Sequence, residues 1–445
     1  MADDPVLTAL RQFAAEHPQL TVWRVAVSGG RDSMTLADAC TRLALAQRLE
    51  LWHVHHGLQS EAERQAAFCQ EWAQTRKIPC VLRRVQVPAR PAEGIEACAR
   101  RLRYAALAEG MDAQTVVLTA QHANDQAETV LLAALKGSGP QGLAAMPPLR
   151  PLGQGWLGRP LLTLTAQQIA DYAADNDLRW VDDPSNADLR FDRNWLRAEI
   201  VPRLQTRFPA IQRLGTVAHW QAEVQEVLNA YLDQTLDGML DTSRATLSCS
   251  GLLREPSRHQ LWLLRRFLQR CGAEQLPRRE PLQEFLRQIA VMRPDRQPEL
   301  SWTGGALRIY RDAIYWLQPT DTKTATWPQR WYWPAGADAV VLPHGQRLSR
   351  TELREHGLAW GKNDVVYLAL RRGGERLQTT HGSRSVKKLL QEHDIPPWQR
   401  GQIPLFYVND HCLAIIWPDG KPHIPRNRSD PPPLGALIIG LPGRC

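Results

Sequence analysis

Six residues, Ser28-Gly29-Gly30-Arg31-Asp32-Ser33, follow directly on the apolar run Val25-Ala26-Val27. Two adjacent glycines let a backbone turn tightly and come close to a bound group. A helix starting just after them presents free N–H groups and a partial positive charge to an anion. Ser28 and Ser33 add hydroxyl donors. Asp32 conflicts with a pure anion site, because like charges repel. A Mg²⁺ ion between its carboxylate and a phosphate removes the conflict. Residues 28–33 therefore read as a phosphate-binding loop with Asp32 as the metal ligand. The loop is not of the Walker type, since G-x-x-x-x-G-K-[ST] is absent. The nearest approach, residues 357–363, has one residue too few between its glycines and no hydroxyl after Lys362, so it reads as a turn.

Two other groups carry chemistry. Arg100 and Arg103 are three apart on one expected helix and share a face. Arginine is a fixed charge with a fork of donors, suited to phosphate. His122, Asp125 and Glu128 fall where a strand should give way to a helix. Asp125 and Glu128, again three apart, put two carboxylates on one face. Acids at a helix start are also ordinary capping. The functional alternative is recognition of an ammonium group or a second metal. His53, His55 and His56 invite a metal reading, but along a strand the first two face one way and His56 the other. That arrangement suits zinc poorly, so these residues read as a strand with a turn at Gly57.

These residues must be positioned by alternating elements. Strands are expected at 21–27, 51–55, 81–87 and 115–119, and helices at 33–48, 60–77, 93–109 and 124–136. Ser60 with Glu63 has the spacing of a capping box. Such alternation means a parallel sheet with crossover helices, and ligands then bind beyond the carboxyl ends of the strands. Residues 28–33, 55–57 and 121–128 should converge there. A further stretch, 182–194, follows an expected helix at 165–177. From 208 to 295 the apolar pattern is helical with few β-branched residues. Residues 319–345, rich in Pro, Trp and Gly, read as a linker. From 365 short strands surround one helix starting near Ser385. The expected architecture is an α/β N-terminal domain (1–207), a mainly helical domain (208–318), a linker (319–345) and a small α+β C-terminal domain (346–435).

A chain of 445 residues calls for two or three such domains. With 54 Lys and Arg against 46 Asp and Glu, the net charge of +8 leans mildly toward a polyanionic partner. The acidic start, Met1-Ala2-Asp3-Asp4-Pro5, lacks the apolar core of a signal peptide. No run reaches the roughly 18 apolar residues of a membrane span, so the cytoplasm is the expected location and no membrane partner is expected. The 8 cysteines form no C-x-x-C pair. That excludes the common zinc and iron–sulfur spacings and the paired thiols of many sulfur-transfer enzymes. Nothing in the residues sets an oligomeric state, and a homodimer is compatible with them.

The loop at 28–33 resembles that of the N-type ATP pyrophosphatases, which cleave ATP between the α and β phosphates. Four further stretches narrow the resemblance. They are His53-Val54-His55-His56-Gly57-Leu58, Glu96-Ala97-Cys98-Ala99-Arg100-Arg101-Leu102-Arg103-Tyr104, Gln121-His122-Ala123-Asn124-Asp125-Gln126-Ala127-Glu128-Thr129, and Asp183-Pro184-Ser185-Asn186 with Arg193-Asn194. With the C-terminal Ser385-Val386-Lys387-Lys388-Leu389-Leu390 and Ile395 to Leu405, they are similar, in order, to the tRNA(Ile)-lysidine synthetase family.

That resemblance implies a two-step reaction on ATP. The wobble cytidine of a CAU anticodon is adenylated on its C2 oxygen, then the side-chain amine of free L-lysine displaces AMP. It implies nucleotide contacts from Ser28, Gly29, Gly30, Arg31, Asp32, Ser33 and His56, and Mg²⁺ on Asp32. Phosphate or intermediate contacts are implied for Arg100 or Arg103, and a lysine- or metal-binding role for His122, Asp125 and Glu128. The family motif has two successive acids where this chain has Asn124-Asp125, and Asn124 is expected to serve as the helix N-cap. Residues 254–279 and 371–400 are rich in Arg and Lys. Arg193, Arg371, Arg372, Lys387, Lys388 and Arg400 are the expected tRNA contacts. Two readings compete: a tRNA thiolation enzyme on the same ATP-binding fold, and a tRNA-binding homologue without activity.

Overall fold

A computed structural model describes residues 4–43, 48–55, 62–88, 94–182, 188–241, 245–273, 275–292, 298–318, 327–343, 345, 347–379, 382–416 and 422–423. The chain divides into two compact units, Met1–Leu228 and Asn229–Cys445.

The first unit opens with α1 (Pro5–Glu16), whose N-cap Asp4 accepts from Val6 N at 2.8 Å and Leu7 N at 3.1 Å. There follow β1 (Val22–Ala26), α2 (Arg31–Arg42), β2 (Arg48–His55), α3 (Ala62–Thr75), β3 (Cys80–Arg84), α4 (Ile95–Leu107), β4 (Thr115–Leu118) and α5 (Ala123–Leu135). Then come α6 (Pro140–Leu143), β5 (Leu149–Leu152), β6 (Gly155–Gly158), α7 (Ala166–Asp175), α8 (Asp192–Trp195), a π-helical turn (Leu196–Ile200) and α9 (Val201–Gln205). The boundary between the units falls within the long helix α10 (Ala210–Asp237).

The sheet has the order β3-β2-β1-β4-β6-β5, with β5 the antiparallel edge and every other pairing parallel. The order changes direction between β1 and β4, the kind of point at which parallel sheets bind ligands. Successive side chains along each strand serve opposite faces. Val25 and Val27 of the β1 segment, Leu51 and Leu118 join α1, α2, α3 and α7 in one core. Trp52, Val54, Val117 and Leu157 pack with Tyr104 and Leu107 of α4 in the other. Arg24, buried in β1 on the α4 side, lies 4.3 Å from the Trp52 ring and donates to Glu109 O at 2.6 Å. The expected strands and helices are present with ends shifted by a few residues. The β5–β6 hairpin, two four-residue strands, went unread because each is too short to show a period.

The expectation of a mainly helical region at 208–318 holds, and a small sheet is added to its helices. Helices at Cys249–Arg254, Ser257–Arg270 and Arg279–Ala290 are present. So is a five-stranded antiparallel sheet that includes Glu299–Trp302, Gly305–Tyr310 and Ala313–Leu317. Gly305-Ala306-Leu307-Arg308-Ile309-Tyr310 alternates too weakly to announce a strand, because both of its faces are largely covered. A second antiparallel sheet is built around Val366–Leu370, Pro404–Val408 and His411–Ile416. The stretch read as a linker contributes a strand to it at Trp331–Tyr332 and buries Trp333 against Trp360 and Phe406.

Candidate active site

The glycine loop joins β1 to α2. Gly29 has φ +86°, a conformation that side-chain-bearing residues rarely adopt. The α2 N-cap is Gly30, so no side chain blocks the helix end. The loop is held from within. Ser33 Oγ accepts from Ser28 N at 3.1 Å and donates to Gly30 O at 2.9 Å. Ser28 Oγ accepts from Gly30 N at 3.3 Å. The Val181 N–H donates to Gly29 O at 2.9 Å, bringing the segment after α7 beside the loop.

Asp32 lies in the first turn of α2, and His122 is the N-cap of α5 at the end of neighbouring β4. His122 Nε2 is 3.5 Å from Asp32 Oδ2 and 3.5 Å from Asp125 Oδ2. Asp125 Oδ2 accepts from His122 N at 3.1 Å, which fixes the start of α5. Burial pushes the Asp32 carboxyl up, but the hydrogen bond and charge of His122, with Arg31 Nε at 3.0 Å, outweigh it and hold Asp32 below its ordinary value. The ring of His122 is buried and its Nδ1 has no hydrogen-bond partner among the described residues.

Glu128, one turn beyond Asp125, is 1% exposed. A buried carboxylate must be paired, and two arginines do this. Arg193 Nε donates to its Oε2 at 2.7 Å. Arg197 donates to Oε1 at 2.7 Å and to Oε2 at 3.0 Å. Both arginines also reach Asp125 Oδ1, at 3.3 and 3.0 Å. Burial draws the Arg197 guanidinium down, and Glu128, Asp125 and Asp32 more than reverse this. Arg197 sits on the π-helical turn, a local widening frequent at functional sites. Sequence reasoning named Arg193 and missed Arg197, although the four-residue spacing put both on one helical face.

Asn124 is not the N-cap of α5. It lies one residue inside that helix, and its Oδ1 accepts from Ala166 N at 2.9 Å, at the first turn of α7. The tertiary fold brings that orphan N–H within reach, so the amide caps a neighbouring helix. His53 and His55 lie on β2, with His53 Nδ1 2.9 Å from Val27 O and His55 Nε2 3.3 Å from Glu63 Oε1. His56, Ser60 and residues 183–187 lie outside the described residues. No group of three or more His, Cys, Asp or Glu able to hold a metal occurs among the described residues.

Of the expected tRNA contacts, Arg193 belongs to the acid cluster just described. In the second unit Lys387, Lys388 and Arg372 are exposed. Arg371 is 3.5 Å from Glu375. Arg400 does not fit its expected role. It is buried, with Nε donating to Ile395 O at 2.8 Å and Nη2 to Tyr310 OH at 3.0 Å. The flanking Ile395, Ile403 and Leu405 are core residues, and they take this arginine inside with them. Part of the 254–279 basic run is also used internally, Arg266 by Asp233 at 2.6 Å and Arg270 by Asp237 at 2.6 Å.

A parallel sheet with an open glycine loop at its switch point and a metal-competent acid one turn on defines a PP-loop, ATP-using protein. A PP-loop domain model matches residues 4–204. A TilS substrate binding domain matches 247–315, and a TilS substrate C-terminal domain matches 366–417. The tRNA(Ile)-lysidine synthase of Alkalilimnicola ehrlichii is 38% identical over 93% of this chain and 94% of its own. That of Serratia proteamaculans is 36% identical over 88% and 90%, and that of Methylococcus capsulatus 33% over 90% and 92%. The chain belongs to the tRNA(Ile)-lysidine synthase family. Among solved structures, a tRNA thiolase from Methanococcus maripaludis is similar over 50% of this chain and 78% of that one, with TM-score 0.41 and 13% identity, a level that says nothing about activity. No described helix is long and apolar enough to cross a membrane.

Proposed function

We propose that this chain ligates free L-lysine to the wobble cytidine of CAU-anticodon tRNA(Ile) through an adenylated intermediate, with Asp32, His122, Asp125, Glu128, Arg193 and Arg197 as its working residues. ATP use and ligase class follow from the family. The observation that carries the residue roles is the meeting of the loop acid Asp32 and Asp125 on one histidine, His122, with Asp125 joined to Glu128 through Arg193 and Arg197.

The free N–H groups at the start of α2 and the Ser28 hydroxyl would meet the phosphates of ATP, while Ser33 Oγ holds the loop in shape. Asp32, kept ionised, has the hard oxygen donors that suit Mg²⁺, and it would hold the ion with ligands completed by the phosphates. The ion would supply charge neutralisation when pyrophosphate leaves. The cytidine C2 oxygen attacks the α-phosphorus, the α–β phosphoanhydride bond breaks, and pyrophosphate departs. The lysine Nε then attacks C2 and AMP leaves, its proton passing to a nearby base. The acid–arginine cluster offers both signs of charge to an amino acid: Asp125 toward its ammonium groups, and Arg193 and Arg197 toward its carboxylate. Glu128 holds the two arginines in place. Asp125 and His122 are the groups that would take up the lysine proton.

Thiolation is not favoured. Burial pushes the Cys69 and Cys412 thiols up to about 12 and the Cys249 and Cys271 thiols to about 11, the opposite of a reactive thiol. The test is incubation with ATP, labelled lysine and CAU-anticodon tRNA. Lysine-labelled tRNA with one pyrophosphate and one AMP per turnover is expected. Pyrophosphate release without lysine transfer, or no reaction, refutes the proposal.

A further inference from the structure

A second concentration of positive charge lies on the α4 side of the sheet. The guanidinium carbons of Arg100 and Arg103 are 5.1 and 5.3 Å from the Tyr104 ring centroid, and that of Arg150, on β5, is 5.3 Å away. Arg159, the residue after β6, is near enough for its charge to act on the same phenol. Arg159 is 3% and Tyr104 8% exposed. Arg159 Nη1 donates to Pro147 O at 2.6 Å, its Nε has no hydrogen-bond partner among the described residues, and the buried Tyr104 hydroxyl lies against the Arg159 guanidinium. From this buried floor the cluster opens outward through half-buried Arg103 and Arg150 to exposed Arg100.

No carboxylate pairs with any of the four arginines among the described residues. Burial pulls the Arg159 guanidinium down to about 10, with Arg150 and Arg100 adding to the effect against Tyr104. Burial pushes the Tyr104 phenol up, yet the four arginines hold it below its ordinary value. Four like charges around one buried ring repel unless an anion joins them. The cluster is not the phosphate site of the glycine loop. Tyr104 packs in the α4-side core, whereas α2, which carries the loop, packs on the opposite face. It is nevertheless at the carboxyl edge, since Thr119 N, at the end of β4, donates to Gly158 O beside Arg159 at 3.0 Å.

We propose that Arg100, Arg103, Arg150 and Arg159, gathered on Tyr104, form a second anion site that holds a backbone phosphate of the RNA substrate beside the reacting base. Phosphate is also carried by pyrophosphate and ATP. The RNA source is favoured because the triphosphate already has the loop on the other face, and because a base at the sheet edge brings its own phosphodiester with it. The inference rests on the RNA-modifying reading above. It adds Arg150, Arg159 and Tyr104 to the arginine pair anticipated from sequence.

The test is Arg150→Gln in the full chain, with Arg150→Lys beside it. Binding of the CAU-anticodon tRNA is measured without ATP or lysine, as log Kd against log salt. Arg150→Gln should weaken binding about tenfold at low salt and reduce the slope by about one. Arg150→Lys should restore the slope. Affinity for a non-hydrolysable ATP analogue and inhibition by pyrophosphate should not change. An unaltered slope overturns the proposal. So does weakened pyrophosphate or analogue binding with RNA binding intact, which assigns the cluster to the leaving group. Tyr104→Phe keeps the ring and loses only the hydroxyl; it should weaken RNA binding about threefold with the slope preserved, and unchanged affinity there counts against the site. Wild-type protein that binds tRNA but transfers no lysine refutes the ligase reading alone. Active wild type with an insensitive Arg150→Gln slope refutes this site alone.

Discussion

The first unit carries two arginine clusters at one sheet edge, and their electrostatics are opposite. Arg193 and Arg197 share Glu128 and Asp125, with every close contact between 2.7 and 3.3 Å. Arg100, Arg103, Arg150 and Arg159 surround a phenol and have no acid among the described residues. A matched cluster is complete in the free protein, and under the proposed function it is a preset cradle for an amino acid. An unmatched cluster is incomplete until an anion arrives, so it behaves as a receptor. The contrast teaches that arginine content alone does not identify a nucleic-acid surface; what counts is whether the chain has already neutralised the charge.

The largest expected effect comes from breaking the matched cluster. Glu128→Gln leaves two arginines without their buried counter-charge. Lysine transfer should fall about 100-fold or more, about 2.7 kcal/mol, and thermal stability should drop with it. Both are read from labelled-lysine kinetics and a melting curve. The same kind of charge removal in the unmatched cluster, Arg150→Gln, should leave the melting temperature of the free protein unchanged or raise it, since it relieves repulsion. A drop there as large as that of Glu128→Gln would erase the distinction.

The second unit repeats the contrast. Arg400→Met removes a buried donor from Ile395 O and Tyr310 OH and should cost about 1–3 kcal/mol of stability without altering the salt slope of tRNA binding. Replacing exposed Lys387 and Lys388 with alanine should reduce that slope by up to about two and leave the melting temperature alone. Denaturant titration and salt-dependent binding separate the pair. A salt-slope change in Arg400→Met would mean that burial fails as a criterion.

A smaller effect concerns pH. Asp32 is held below its ordinary value of 3.8 by His122 and Arg31 against the upward push of burial. Interactions that depress a carboxyl contribute stability above its unfolded value and lose it as pH falls through the folded one. His122→Gln removes the main counterweight, so the acid limb of the kcat/KM profile and this loss of stability should both move to higher pH. A shift to lower pH would contradict the assignment. The smallest effect is expected from Asn124→Asp. A carboxylate can accept from Ala166 N as the amide does, and caps of the two kinds are of similar strength. Lysine KM should stay within about threefold, and a tenfold change, about 1.4 kcal/mol, would show that the charge itself matters there.

Much of the first unit was legible because its cues are local. Val25-Ala26-Val27 followed by Ser28-Gly29-Gly30 announces a strand and a turn, and the position of Asp32 announces a cation. The periods of α3, α4 and α5 are visible in the residue types alone. The five-stranded sheet in 240–317 was not, since its strands are two to six residues long, too short to show a period, and the longest, Gly305–Tyr310, is largely covered on both faces. Asn124 illustrates the limit more sharply. Its residue type promised a cap, and it is one, but for α7, a helix 42 residues away in sequence.

By itself, then, the sequence determined the chemistry at hand: an open phosphate loop, an acid beside it, an acidic pair one helical turn apart, and abundant arginine. These follow from backbone sterics and helical spacing, which act over a few residues. Only the tertiary structure decided how those charges are distributed. It sent Arg197 to Glu128, buried Arg400 beneath Tyr310, and drew Arg150 and Arg159 from a hairpin to the Tyr104 of α4. The reason is physical: whether a charge is neutralised depends on distances of a few ångströms between residues far apart in the chain, and those distances exist only once the sheet has assembled.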